Sequence, residues 1–173
     1  QKVQFIVTVL HEPKLLIFDE PFSGFDPINA NMIKDEIVAL KNKGTSIIFS
    51  THRMESVEEI CEYIALLNSA EKVLDGKLSD IKNSFKSNSF RVGLKVKDDE
   101  KQVIEKLMQS FDVSEFNYVK TDRQLTFRLQ LKNSDTSVFL HQLNGEFMIN
   151  ALEEVIPSAN EIFMETVKSK LDA

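Results

Sequence analysis

The chain has 173 residues and a mass of 19.8 kDa, and 42% of its residues are hydrophobic. That is enough for one sizeable core or two small ones, and it excludes a peptide or a disordered tail. Lys and Arg number 21 against 27 Asp and Glu, giving a net charge of −6 and a pI near 5.2, which disfavours binding to a nucleic-acid backbone through bulk charge. Apolar runs such as Ile64–Leu67 fall far short of the roughly 18 residues needed to cross a bilayer. The single cysteine, Cys61, allows neither an internal disulfide nor a thiolate metal cluster and suits a reducing compartment, the cytoplasm by default.

No signal peptide is visible, and the chain begins at Gln1 without an initiator Met. The pattern predicts a helix from Lys2 to Leu10, so a preceding segment is expected. Pro13 breaks this helix, and Leu15-Leu16-Ile17-Phe18 forms a short apolar run of the kind buried on both faces of a parallel sheet. Asp26 and Pro27 read as N-cap and first residue of the next helix, whose apolar positions Ile33, Ile37 and Leu40 end at Gly44. Thr45–Ser50, centred on Ile47-Ile48-Phe49, predicts a second buried strand. Met54, Val57 and Cys61 make the stripe of another helix, and Ile64–Leu67 with Lys72–Leu74 predict a strand pair before Gly76. Strands alternating with helices in this way predict an α/β fold.

From Ile81 to Ser89 the composition turns to Lys, Asn and Ser, the best candidate for a domain boundary. Beyond it, Phe90, Val92, Leu94 and Val96 alternate with polar residues, as do Leu125, Phe127, Leu129 and Leu131, so a sheet with one covered face is expected. Helices are predicted over Asp98–Phe111 and Thr136–Leu143, a last strand over Phe147–Val155 and a closing helix over Ser158–Leu171. The order strand, helix, strand, strand, helix, strand, helix predicts a small α+β domain of the split βαβ, ferredoxin-like type with an added terminal helix.

Asp19 and Glu20 place two carboxylates at the C-terminal end of a buried parallel strand, the edge where open α/β sheets bind ligands. Asp19 is positioned to hold Mg²⁺ through water, and Glu20 to orient or deprotonate an attacking water. Many strands end in Asp or Glu, and for the pair alone two solvated carboxylates is the plainer reading. The sequence then continues with Ser23-Gly24-Phe25-Asp26-Pro27 and, after the second strand, Ser50-Thr51-His52. The run LLIFDEPFSGFDP from Leu15 to Pro27, followed by IIFSTH, closely resembles the Walker B, D-loop and H-loop segments of ATP-binding-cassette (ABC) ATPases. Gln1-Lys2-Val3 is similar to the end of that family's signature motif, and the likeness extends through Ile64–Asn68 and Val73–Gly76.

The resemblance implies the C-terminal half of a P-loop NTPase ABC cassette over residues 1–82, followed by an accessory domain over 83–173. It implies Asp19 at a Mg²⁺ site, Glu20 activating water and His52 meeting the γ-phosphate of ATP. Ser23 and Asp26 would lie in the D-loop, which in this family crosses the interface of a nucleotide-sandwich dimer; Asp26 also serves as the helix cap described above. Phosphoryl transfer needs a metal that neutralises phosphate oxygens, a group that aligns the nucleophile and a donor at the terminal phosphate. Departures accompany the matches. The chain contains no G-x-x-x-x-G-K-[ST] loop, the Q-loop and signature core are missing, and Gly24-Phe25 stands where the family commonly has Ala-Leu. ATP is therefore not expected to bind tightly to this chain alone.

His11 reads as a partner of a helix C-terminus, His141 lacks a second ligand nearby in sequence, and Cys61 reads as a small core residue. The 13 phenylalanines suit core filling, because a stacking surface for bases needs interleaved basic residues. The expectation is the ATP-hydrolysing subunit of an ABC transporter, most like bacterial ABC-2-type exporters of the sodium-efflux and drug-resistance groups. Its implied partners are a second cassette and a membrane permease that holds it at the inner face of the cell membrane, with no nucleic acid. Apolar sheet edges exposed in a half-cassette favour self-association. The alternatives are a soluble ABC-type ATPase acting on the ribosome or DNA, and an isolated regulatory or interaction module.

Overall fold

A computed structural model describes residues 2–97, 99–132, 135–144 and 147–171. Gln1 and Asp98, which bound a motif and a helix expected from the sequence, lie outside the described residues. The elements are α1 (Lys2–Val9), β1 (Leu15–Asp19), α2 (Pro27–Asn42), β2 (Ser46–Ser50), α3 (Met54–Ile60), β3 (Tyr63–Asn68), β4 (Glu71–Lys77) and α4 (Leu78–Ser84). They continue with β5 (Ser89–Lys95), α5 (Glu100–Ser110), β6 (Asp112–Val119), β7 (Gln124–Gln130), α6 (Ser137–Asn144), β8 (Met148–Glu154) and α7 (Ala159–Leu171). By its contacts the chain divides into two units, 1–80 with 158–173, and 81–157. The segment after Ile81, expected as a boundary, thus begins inside α4.

In the first unit β1 and β2 pair in parallel, from Leu15 opposite Ser46 to Asp19 opposite Ser50, with α2 as the crossover that parallel strands require. Asp26 caps α2, accepting the Asn29 N–H at 3.1 Å, and Pro27 takes the first helical position. Gly44 follows the helix at φ +98°, a conformation in which a side chain would be strained. The α2 residues Ile33 and Ile37 pack with Phe22, and Phe5, Phe18, Ile47 and Phe49 join this cluster. Phe22 meets Phe49 edge-on at 5.7 Å between ring centroids, and Phe5 stacks on Phe18 at 5.6 Å. These residues cover one face of the strand pair. The burial on both faces expected of β1 and β2 is not found: Leu15, Ile17 and Ile48 are 51%, 69% and 59% exposed, because among the described residues nothing packs on their side.

β3 and β4 form an antiparallel hairpin whose turn residues Ser69 and Ala70 both have positive φ, matching the strand twist without the usual Asn-Gly pair. Ile64, Leu66 and Leu74 of the hairpin line one apolar depression with Met54 and Val57 of α3 and Ile162 and Phe163 of α7. α7 starts at a capping box: the Ser158 Oγ accepts the Glu161 N–H at 3.2 Å and the Glu161 carboxylate accepts the Ser158 N–H at 2.7 Å. Glu58 of α3 accepts the Ala159 N–H at 2.8 Å. The closing helix, expected in the second domain, therefore belongs with residues 1–80, where its apolar residues find partners. Cys61, expected in the core, instead caps the C-terminus of α3 in a half-buried position, because the helix ends at Ile60, and desolvation pushes its thiol pKa up to about 11.

In the second unit β5, α5, β6, β7, α6 and β8 give a sheet of order β6-β7-β5-β8 with every neighbouring pair antiparallel. This is the expected ferredoxin-like arrangement. Phe90, Val92 and Leu94 of β5 and Leu125, Phe127 and Leu129 of β7 point to a core closed by Val103 and Leu107 of α5 and Phe139 and Leu143 of α6. Gly93 permits a close approach, since a Cβ there would lie 2.6 Å from Asn150 Oδ1 and 3.0 Å from the Ala151 Cβ. The alternating pattern does not locate β6, because its register slips between Ser114 and Asn117 and Glu115 turns to φ +54°. The core residues Val113, Phe116 and Tyr118 are thereby spaced by three and then two.

Two outcomes follow from these packings. Ile162→Ala removes a side chain that is 2% exposed and is expected to cost about 2–5 kcal/mol; hydrogen exchange should rise in β3 and β4 while β5 and β7 keep their protection, and loss confined to β5 and β7 would contradict the placement of α7. Cys61 should react with a thiol reagent at pH 8 at least about tenfold more slowly in the folded chain than after denaturation, and equal rates would contradict its burial. The sign of the linkage agrees: the raised thiol pKa contributes stability below the unfolded value that is lost as pH rises towards about 11.

Candidate functional site

The parallel register brings the C-terminal ends of β1 and β2 side by side, so that Asp19 lies opposite Ser50 and the residues after each strand meet. The Glu20 N–H donates to the Ser50 carbonyl at 3.0 Å, extending the ladder by one bond. Glu20 itself turns to φ +47°, a left-handed conformation that costs a non-glycine residue about 1 kcal/mol. The turn is tied by the Ser23 N–H, which donates to the Glu20 carbonyl at 3.0 Å. Phe22, wholly buried between these two residues, anchors the loop in the core.

The bend aims the Glu20 side chain at the loop after β2. Its Oε1 accepts the His52 backbone N–H at 2.9 Å and lies 2.7 Å from the ring Nδ1 of His52. Its Oε2 accepts the Thr51 hydroxyl at 3.1 Å. Beside it the Ser50 hydroxyl donates to Asp19 Oδ1. Desolvation raises the Glu20 pKa, but the bonds from the His52 ring and backbone and the Thr51 hydroxyl, with the His52 charge, more than offset it, and the carboxyl ends below its ordinary value. The stability these bonds contribute is present above the ordinary carboxylate range and is lost as pH falls through the lowered pKa. Glu20 is thus a carboxylate with the charge needed to accept a proton at neutral pH. The His52 side chain is 80% exposed and that of Glu20 30%, leaving the imidazole open to a ligand.

Of the residues singled out from the sequence, Asp19, Glu20 and His52 come together. Ser23 is one turn away and exposed, attached to Glu20 through its backbone N–H. Asp26 is engaged with the Asn29 N–H and side chain, which lower its pKa, and among the described residues it shares no hydrogen bond with the other three. Ser50 and Thr51, the partners of the two carboxylates, carried no assigned role in the sequence reading; their signal is their place at the end of a strand in register with β1. Among the described residues no group of three or more His, Cys, Asp or Glu could hold a metal by itself. Asp19, an exposed carboxylate beside a hydroxyl, fits Mg²⁺, which keeps several waters and takes one or two carboxylates along with phosphate oxygens. No described helix is long and apolar enough to cross a membrane.

Residues 76–167 match the family model described as "ATP-binding protein DrrA1-3-like, C-terminal domain", which runs from β4 into α7. The ABC transporter ATP-binding protein YhaQ of Bacillus subtilis is 39% identical over 171 residues, which cover 96% of this chain and 53% of that protein. An ABC transporter ATP-binding protein of Alkalihalophilus pseudofirmus is 36% identical over 168 residues, covering 96% of this chain and 59% of that protein. A solved chain titled "Structure of ATP binding subunit of ABC transporter" is similar at 36% identity with a TM-score of 0.41, covering 44% of this chain and 32% of its own. The chain spans about half the length of the curated relatives it matches. It belongs to the ABC transporter ATP-binding proteins and carries a DrrA1-3-like C-terminal domain.

Proposed function

We propose that this chain is the C-terminal half of the ATP-hydrolysing subunit of an ABC transporter, with Glu20 as the base that takes a proton from the attacking water. The observation that carries the reading is the contact of Glu20 with His52 across the ends of β1 and β2, with a backbone N–H and a ring nitrogen on one carboxylate oxygen. A base must be ionised and held still to act, and Glu20 is both. Asp19 would hold Mg²⁺, whose chemistry is to neutralise charge on the phosphate oxygens. The exposed His52 ring would donate to the γ-phosphate, and Ser23 and Asp26, on the loop and helix cap that follow Glu20, would face a second cassette.

Further support comes from the relatives, whose names are those of transporter ATP-binding proteins. The net charge of −6 weighs against the reading in which a ribosome or DNA is the partner. The partners in this proposal are a second cassette and a membrane permease that keeps the subunit at the inner face of the cell membrane. The 173 residues lack a G-x-x-x-x-G-K-[ST] loop, so the backbone cradle and lysine for the β- and γ-phosphates must come from outside them. Residues 81–157, where no catalytic cluster is found among the described residues, would take an interaction or regulatory role.

In the full-length protein Glu20→Gln keeps the shape of the side chain and removes its charge. It should leave Mg-ATP binding intact and lower turnover by about a hundredfold or more; unchanged turnover would refute the assignment. This chain alone should neither bind Mg-ATP tightly nor hydrolyse it. Tight binding by the isolated chain would require a phosphate cradle within these residues and would overturn the half-cassette reading.

A further inference from the structure

Both oxygens of the Glu20 carboxylate are used, and among the described residues their hydrogen-bond partners come from Thr51 and His52. The two oxygens differ in how they are held. Oε1 has two partners on His52, so losing either leaves one. Oε2 has the Thr51 hydroxyl, at 3.1 Å. The Thr51 Oγ1 in turn accepts the Arg53 N–H at 3.1 Å, which fixes the hydroxyl oxygen and leaves its proton to be donated to Glu20. The local turn from Thr51 to Arg53 explains why the oxygen sits where it does, but it uses only the acceptor side of the hydroxyl. β-branching limits the Thr51 side chain to few rotamers, so the donor is set in place by the backbone that ends β2.

We infer that Thr51 is a positioning residue for Glu20: its hydroxyl pins Oε2 while the two His52 partners hold Oε1, so that the carboxylate keeps one orientation. The inference rests on the base role proposed for Glu20. Without the hydroxyl the carboxylate is tethered at Oε1 alone and rotates about it. Proton acceptance needs the lone pair aimed at the water within hydrogen-bond reach, so that rotation reduces the fraction of productive encounters. Ground-state binding of nucleotide does not depend on the orientation of this carboxylate, and the effect therefore falls on turnover.

The test is steady-state Mg-ATP hydrolysis and Mg-ATP binding by the full-length protein with Thr51→Val, Thr51→Ala, Thr51→Ser and Glu20→Gln. Thr51→Val keeps the branched shape and removes the hydroxyl, and Thr51→Ala is a second hydroxyl-free variant in case the first fails to fold. The expected result is a kcat about tenfold lower for the hydroxyl-free variants, with KM and Mg-ATP binding within about twofold of the parent, and recovery to within about threefold in Thr51→Ser. Thr51→Val placed in Glu20→Gln should slow it no further. Unchanged kcat in the hydroxyl-free variants, a loss confined to KM, or Thr51→Ser as slow as Thr51→Val would each overturn the positioning role. If Thr51→Val is unimpaired while Glu20→Gln is inactive, the positioning role fails and the base survives. If Glu20→Gln turns over normally, both fail.

Discussion

The in-register parallel pairing of β1 with β2 is the constraint on which the first unit's candidate site depends. Asp19 opposite Ser50 fixes where each strand ends, and the chemistry-bearing residues are those immediately beyond. A slip of one residue would send Asp19 and Glu20 to the wrong faces and separate Glu20 from the His52 N–H. The register is held by burial rather than by the polar groups themselves. Phe18 of β1 and Ile47 and Phe49 of β2 lie on the covered face, where Phe22, Ile33 and Ile37 close on them, and Leu16 is buried on the same face of β1. A slip would turn these side chains to the face that now exposes Leu15, Ile17 and Ile48, at a cost set by the apolar area lost from the core.

The left-handed turn at Glu20 is the local price of that geometry. An L-residue adopts φ +47° only when its surroundings over-determine it, and here three restraints do so: the ladder bond to Ser50, the return bond from Ser23 and the buried Phe22 ring. The consequence is that the base proposed for the reaction is aimed by the core. The exposed His52 ring, by contrast, is free to exchange its contact with Glu20 for one with a ligand. The roles proposed for them, proton acceptance by Glu20 and phosphate contact by His52, would suit a carboxylate held by its turn and a ring exposed to solvent.

Much of the architecture was legible because apolar spacing records burial directly. The α2 cap at Asp26-Pro27, the strand ends at Asp19 and Ser50, and the alternating strands Phe90–Val96 and Leu125–Leu131 all follow from rules that act within a few residues. What was not legible depends on partners remote in sequence. Burial on both faces of β1 could not be judged from Leu15–Phe18, since it depends on elements that pack there. The assignment of α7 was missed because its apolar residues, Ile162 and Phe163, suit either unit, and only the hairpin β3–β4 and Glu58 decide between them. β6 is counted in the expected strand order but its residues are not located, because the irregularity at Glu115 breaks the period that marks a strand. At the candidate site the carboxylates and His52 were readable from their motifs. Thr51 was not, because its role lies in a hydrogen bond to a residue 31 positions away.

The most direct measurement is a double-mutant cycle between Glu20→Gln and His52→Ala, read as single-turnover Mg-ATP hydrolysis by the full-length protein. If the two residues act as one unit, the double variant is no slower than the slower single variant. Losses that multiply would show that Glu20 and His52 act independently, and would contradict a catalytic role for their contact across the ends of β1 and β2.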